Sequence, residues 1–125
     1  QLTDFNIKRS QGEEETVRLL RENPQRTALF AVNDNVALGA IRGARRVGRK
    51  IPDDLSVIGY DDTYLATSVA PALSTMNVDM LAMGRAAVHL LALRIEKPDA
   101  ARITMTIHPT LIERDSTSPI LNSNL

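Results

Sequence analysis

Apolar residues along the chain fall into short continuous runs and into stripes of helical period. Ala28 to Val32 (ALFAV) and Ser56 to Tyr60 (SVIGY) are runs of strand length, and they read as strands buried on both faces, as in a parallel sheet. Between them, Ala37, Ala40, Ile41, Ala44 and Gly48 follow the i, i+3, i+4, i+7 spacing of an amphipathic helix. Asn33, Asp34 and Asn35 can cap its start, and Gly48 can end it. The unit predicts two neighbouring parallel strands joined by a right-handed crossover. Upstream, Leu2 to Phe5 fits a short strand. Glu13, Glu14 and Glu15 then open a helix with negative charge at its N-terminus. Arg18 and Arg21 follow, with Glu14 and Arg18 as an i,i+4 pair. Val17 and Leu20 form its apolar face, and Asn23-Pro24 stops it.

Downstream, Leu73 to Asn77 is a short extended stretch. Asp79 caps a long helix whose buried stripe is Met80, Met83, Ala87, Leu91 and Ile95, ended by Lys97-Pro98. Arg102 to Ile107 alternates as a half-buried strand does, and Leu111 to Glu113 reads as a last short strand. Ser116 to Leu125 is rich in Ser and Asn and reads as a frayed terminus, disordered from 118 to 125.

Composition narrows the class. A chain of 125 residues suits one compact domain or one lobe of a larger one. With 43% hydrophobic and 3% aromatic residues, its core must be aliphatic. Fifteen basic residues balance fifteen acidic ones, which leaves no electrostatic footprint for DNA or an anionic membrane. The absence of cysteine excludes a disulfide framework and a thiolate zinc site, and fits a reducing cytoplasm. No apolar run has membrane-spanning length and no signal peptide opens the chain.

Both main strands end in polar pairs, Asn33-Asp34 and Asp61-Asp62. In a parallel α/β sheet, ligands bind beyond the carboxyl ends of the strands. Carboxylates and amides there suit a hydroxyl-rich ligand, because an ionised Asp accepts from adjacent hydroxyls and an Asn both donates and accepts. The plainer alternative is that Asn33 and Asp34 only cap the helix and the aspartates only form a turn. An enzymatic reading has less behind it. Carboxylate-based phosphotransfer or phosphatase sites need a Lys and a hydroxyl on later strands, and no convincing equivalent is present. There is no Walker A loop, nucleophile elbow or HExxH, and neither His89 nor His108 has a partner at metal-ligand or triad spacing. No catalytic residue, metal site or cofactor is assigned. Gly39 and Gly43, four apart in an amphipathic helix, read as sites of close packing.

Three blocks carry a family resemblance. FAVNDNVALGAIRGARRVGRKIPDDLSVIGYDDT (Phe30 to Thr63), PALSTMNVDMLAMGRAAVHLL (Pro71 to Leu91) and HPTLIERDST (His108 to Thr117) resemble the LacI/GalR repressors in order and spacing. The resemblance implies an α/β, periplasmic-binding-protein-like type I fold with two parallel-sheet sandwich lobes and a ligand in the cleft. Residues 1–117 would be the C-terminal part of that effector-binding domain. About 1–74 would belong to the C-terminal lobe, and 75–117 would return toward an N-terminal lobe that lies outside the chain, as does the helix-turn-helix. It further implies a cytoplasmic, non-enzymatic regulator that binds a small hydroxylated effector, a sugar or nucleoside. Its homodimer would meet operator DNA only through the missing N-terminal domain, and it would not engage a membrane. Matching positions make Asp61 and Asn33 effector contacts and Phe5 an aromatic that can stack on the ligand. Many members carry a polar group where this chain has Val78. Leu38, Arg42, Leu65, Ser68 and Val69 match the dimer contact, and Leu38 lies off the Ala37-Ala40-Ala44 line. The principal alternative is a periplasmic sugar-binding protein, and a carboxylate-dependent enzyme ranks below both.

Overall fold

The structure, a computed structural model, describes residues 8–119. Its elements run α1 (Arg9–Glu22), β1 (Ala28–Phe30), α2 (Asp34–Arg46), β2 (Ser56–Tyr60), a 3-10 turn (Tyr64–Thr67), β3 (Ser74–Asn77), α3 (Met80–Glu96) and β4 (Thr110–Ile112). One sheet has the order β1-β2-β3-β4. β1, β2 and β3 are parallel, and β4 returns antiparallel to β3. The predicted α/β class and the parallel β1–α2–β2 unit are both present. The strand expected over Leu2 to Phe5 lies outside the described residues.

α2 forms where the stripe predicts it. Asn33 Oδ1 accepts from the Val36 N–H at 2.9 Å, satisfying one of the free donors of the first turn. At the other end Gly48 adopts φ +79°, a left-handed conformation that glycine enters without steric cost. Ala37, Ala40, Ile41 and Ala44 are buried with Leu55, Val57, Ala66 and Leu73, so α2 covers one face of the sheet. Along β2 the side chains alternate, with Val57 and Gly59 inward.

α1 lies against α2 at unusually close range. A Cβ on Gly12 would come within 2.6 Å of the Val36 carbonyl oxygen. A Cβ on Gly39 or Gly43 would overlap the backbone of Arg9 or Glu13. The close-packing role read for Gly39 and Gly43 therefore holds, with Gly12 as its counterpart on α1. Arg46 bridges the pair to Glu13 at 2.9 Å.

Several expectations are corrected. α1 starts at Arg9, with the Lys8 N–H donating to Gln11 Oε1 at 2.7 Å, so Glu13 to Glu15 lie beyond the first turn. Arg18 pairs with Glu15 and Glu22, not with Glu14: carboxylates three or four positions away are all within reach, and these two take up the guanidinium. β1 is not buried on both faces: Phe30 is 65% and Val32 58% exposed, while Ala31 is buried. β1 sits at the sheet edge, and among the described residues nothing covers the face opposite α2. Arg102 to Ile107 forms no strand, since no described strand lies alongside it to complete a ladder. α3 has its predicted length and its Asp79 cap, at 2.8 Å to the Ala82 N–H. None of its residues is buried, so the stripe of Met80, Met83, Ala87, Leu91 and Ile95 has no partner among the described residues.

The described start of the terminal segment, residues 116–119, is held more firmly than its composition suggests, while residues 120–125 of the expected tail lie outside the described residues. Ser116 is fully buried, and its hydroxyl donates to the Val57 carbonyl at 2.6 Å and accepts from the Ser74 N–H at 2.8 Å. Small hydroxylated side chains here supply hydrogen bonds between β2 and β3 rather than marking a frayed end.

Candidate functional site

β1, β2 and β3 deliver their carboxyl ends to one edge of the sheet. The register pairs Phe30 with Ile58 and Tyr60 with Met76. Ladder bonds continue past the strands, with the Ala31 N–H donating to the Ile58 carbonyl at 2.8 Å and the Asp61 N–H to that of Met76 at 2.9 Å. Asn33, Asp61 and Val78 therefore follow three adjacent parallel strands at nearly one level. The polar pairs read from the sequence share this edge.

The four polar residues of those pairs divide their work. Asn33 caps α2 through Oδ1, which leaves its amide N–H groups without a partner among the described residues. Asp34 is fully buried and accepts three hydrogen bonds. These come from the Thr63 N–H at 2.7 Å, the Thr63 hydroxyl at 2.9 Å and the Thr75 hydroxyl at 2.6 Å. Asp62 is held by Arg114 at 2.6 Å and by the Asn77 amide at 2.8 Å. Asp61 is half-buried, and its carboxylate has no hydrogen-bond partner among the described residues.

Asp61 and Asp62 also share an unusual backbone, with φ of 101° and 49°. Residues other than glycine enter this region at a cost, and the surrounding bonds to Thr63, Thr75 and Arg114 hold the turn there. Burial, with the negative charge of Asp34 behind it, raises the Asp61 carboxyl above its ordinary value. Arg114 and Asn77 hold Asp62 below the usual carboxylate range. The turn thus presents one carboxylate with its lone pairs unspent beside another that is fully engaged. Such a carboxylate is suited to accepting hydrogen bonds from ligand hydroxyls.

Other predicted positions separate into two groups. Val78 is half-buried just after β3, while Phe5 lies outside the described residues. Leu38, Arg42, Leu65, Ser68 and Val69 come together around one surface depression, with Ile41, Arg45 and Ala70. Leu38 itself is only 5% exposed and belongs to the core, which corrects its placement off the buried stripe. It lies one residue past Ala37, and the α1 contact and the Leu65–Val69 loop together widen the buried arc of α2. Thr63, Thr75 and Arg114 were missed as site-forming residues. Their roles depend on contacts across 29 to 52 positions of chain, for which the sequence carries no local signal. Among the described residues no cluster of metal-ligating side chains occurs.

Residues 3–117 match the family described as the periplasmic binding protein-like domain. The transcriptional repressor PurR of Mannheimia succiniciproducens is 43% identical over 103 residues, covering 82% of this chain and 31% of that protein. The chain belongs to this family, in its LacI/GalR branch. It spans about a third of the length of the curated relatives it matches. A LacI family transcriptional regulator from Arthrobacter sp. FB24, solved in complex with lactose, superposes with a TM-score of 0.81 at 32% identity. That match covers 90% of this chain and 42% of the regulator. The lac repressor dimer bound to operator and the anti-inducer ONPF gives a TM-score of 0.79 at 30% identity, over 88% and 38% of the two chains. Among the described residues no helix is long and apolar enough to cross a membrane.

Proposed function

We propose that this chain is the effector-sensing part of a cytoplasmic LacI-type transcriptional regulator, and that its ligand is a sugar. Asp61 carries the reading. Its carboxylate stands half-buried at the carboxyl ends of the parallel strands, fixed by its neighbours but unpaired among the described residues. Asn33 adds free amide donors at the same edge. Val78 contributes an apolar wall where a polar group would have narrowed the choice of hydroxyl pattern. Lactose in a structural neighbour supports the ligand class. The arrangement serves recognition: it supplies acceptors and donors for hydroxyls and no nucleophile–base pair.

DNA contact belongs, in this reading, to a segment outside the chain, since the chain has no net charge to attract phosphates. Repressor relatives favour this over a periplasmic sugar-binding protein. A homodimer would form around Arg42, Leu65, Ser68 and Val69. The apolar face of α3, with Met80, Met83, Leu91 and Ile95 exposed, would pack on the N-terminal lobe.

Calorimetric titration of the full-length protein with lactose and with ribose tests the proposal. Asp61→Ala is expected to weaken the binding seen in the wild type by about 2–5 kcal/mol, the usual loss when one partner of a buried charged hydrogen bond is removed. Unchanged affinity would remove Asp61 from the site.

A further inference from the structure

Asp34 is the only fully buried carboxylate among the described residues, and it lies one residue from Asn33 at the start of α2. Its two oxygens reach two other strands. Oδ2 takes the Thr63 N–H at 2.7 Å and the Thr63 hydroxyl at 2.9 Å, just past β2. Oδ1 takes the Thr75 hydroxyl at 2.6 Å, on β3. Gly59 makes room for this, because any Cβ there would overlap Asp34 Oδ1. Helix capping needs none of it, since Asn33 already performs that task.

We propose that Asp34 is a positioning residue for ligand binding: it fastens the Asp61–Thr63 turn to α2 and β3, so that the Asp61 carboxylate is held at the strand ends. The inference rests on the reading of Asp61 as a ligand contact. Two consecutive residues with positive φ hold that conformation at a local cost; their bonds to β3 are the Asp61 N–H to the Met76 carbonyl, the Asp62 N–H to the Thr75 hydroxyl at 3.4 Å and the Asn77 amide to the Asp62 carboxylate, and Thr75 is itself held by Asp34. Asp34 supplies the anchor immediately after them. The charged groups around the turn are Asp34 from α2, Asp62 on the turn itself, and Arg114 following β4. Arg114 is spent on Asp62, and Asp61 is acted on by its burial and by the charge of Asp34.

The test uses the full-length protein with Asp34→Ala, Asp34→Asn and Thr75→Val. Asp34→Ala removes every acceptor. Amide exchange at Asp62 and Thr63 should quicken by about tenfold or more, as loss of a charge-assisted hydrogen bond implies. Asp34→Asn can still turn its oxygen to Thr63 and donate to the Thr75 hydroxyl, so exchange should return toward wild type. In both variants the Asp61 carboxyl, followed by carbon NMR, should titrate at lower pH, because the charge of Asp34 no longer opposes its ionisation. Thr75→Val keeps the charge and should quicken exchange at Asp62 and Thr63 while Ala40 and Ile41 stay protected. Affinity for lactose and ribose should fall about tenfold in Asp34→Ala and recover in Asp34→Asn. If the wild type takes up neither sugar, the ligand reading fails, and the exchange and titration results still decide the role of Asp34. Protection lost evenly across α1 and α2 in all variants, or an unmoved Asp61 titration, would overturn the proposal.

Discussion

Asp61 and Asp62 are chain neighbours on one turn, yet their carboxyls shift in opposite directions. Burial and Asp34 raise the first, while Arg114 and Asn77 lower the second. The linkage to stability follows from these signs. Asp62 contributes stability that is present above its unfolded value near 3.8 and is lost as pH falls through its lowered folded value. Asp61 does the reverse. Its charging costs stability as pH rises from the unfolded value to the raised folded one, so Asp61→Asn is expected to stabilise the protein at neutral pH, as urea unfolding would measure. Ligand binding carries its own pH signature. Hydroxyls that donate to Asp61 favour its ionised form, so affinity should fall on acidification, approaching about tenfold per pH unit below its folded pKa. The fall should set in at higher pH than it would for an unperturbed Asp. Calorimetry from neutral pH down to about pH 4, the ordinary carboxylate value, checks this. A flat profile would take Asp61 out of the contact.

At the scale of elements, the α1–α2 pair depends on the absence of side chains. Alanine is the better helix former by about 1 kcal/mol, so Gly39→Ala ought to help α2 on propensity alone. Here the added Cβ meets the Arg9 backbone, which cannot move without lifting α1. The expected outcome is net destabilisation of about 1–3 kcal/mol, typical of an overpacked core, read as a lower thermal midpoint. An unchanged or higher midpoint would mean that α1 can shift freely on α2. α3 presents the contrasting case. Its periodicity names a buried stripe correctly in pattern, and its cap forms at Asp79, but the stripe meets nothing among the described residues. A hydrophobic period records that a face is meant to be covered, without saying by which part of the protein.

For the whole molecule, the depression between α2 and the loop after β2 frames the question of assembly. Leu65 and Val69 are half-buried there, Ser68 and Arg42 are exposed, and Arg45 donates to the Ala70 carbonyl at the margin. A two-fold pair of chains would use this patch on both partners. Val69→Asp is therefore expected to yield a folded monomer by light scattering, since Val69 is only partly buried at the edge of the core and its side chain can turn a charge toward solvent. Leu38→Asp is expected to behave differently. Leu38 is core, and an unpaired carboxylate there should unfold the lobe. A Val69→Asp protein that remains dimeric would locate the interface elsewhere.

The patterns of single elements were determined by local chemistry. ALFAV and SVIGY carry the apolar runs that become β1 (Ala28–Phe30) and β2 (Ser56–Tyr60), the Ala37-Ala40-Ile41-Ala44 stripe makes α2, and Asn33, Gly48 and Asp79 act within one helical turn. The two polar strand ends could be brought to one edge from sequence because a parallel strand–helix–strand unit permits no other arrangement. Everything that requires distance along the chain was decided by the tertiary fold. Which aspartate is spent on structure and which stands open depends on Thr63, Thr75 and Arg114, brought in from 13 to 52 residues away. Ser116, polar and near the end, is buried because two strands need its hydroxyl between them. Phe30 and α3 stay exposed for the opposite reason: an apolar pattern states a demand for burial, and only the surrounding structure can meet it.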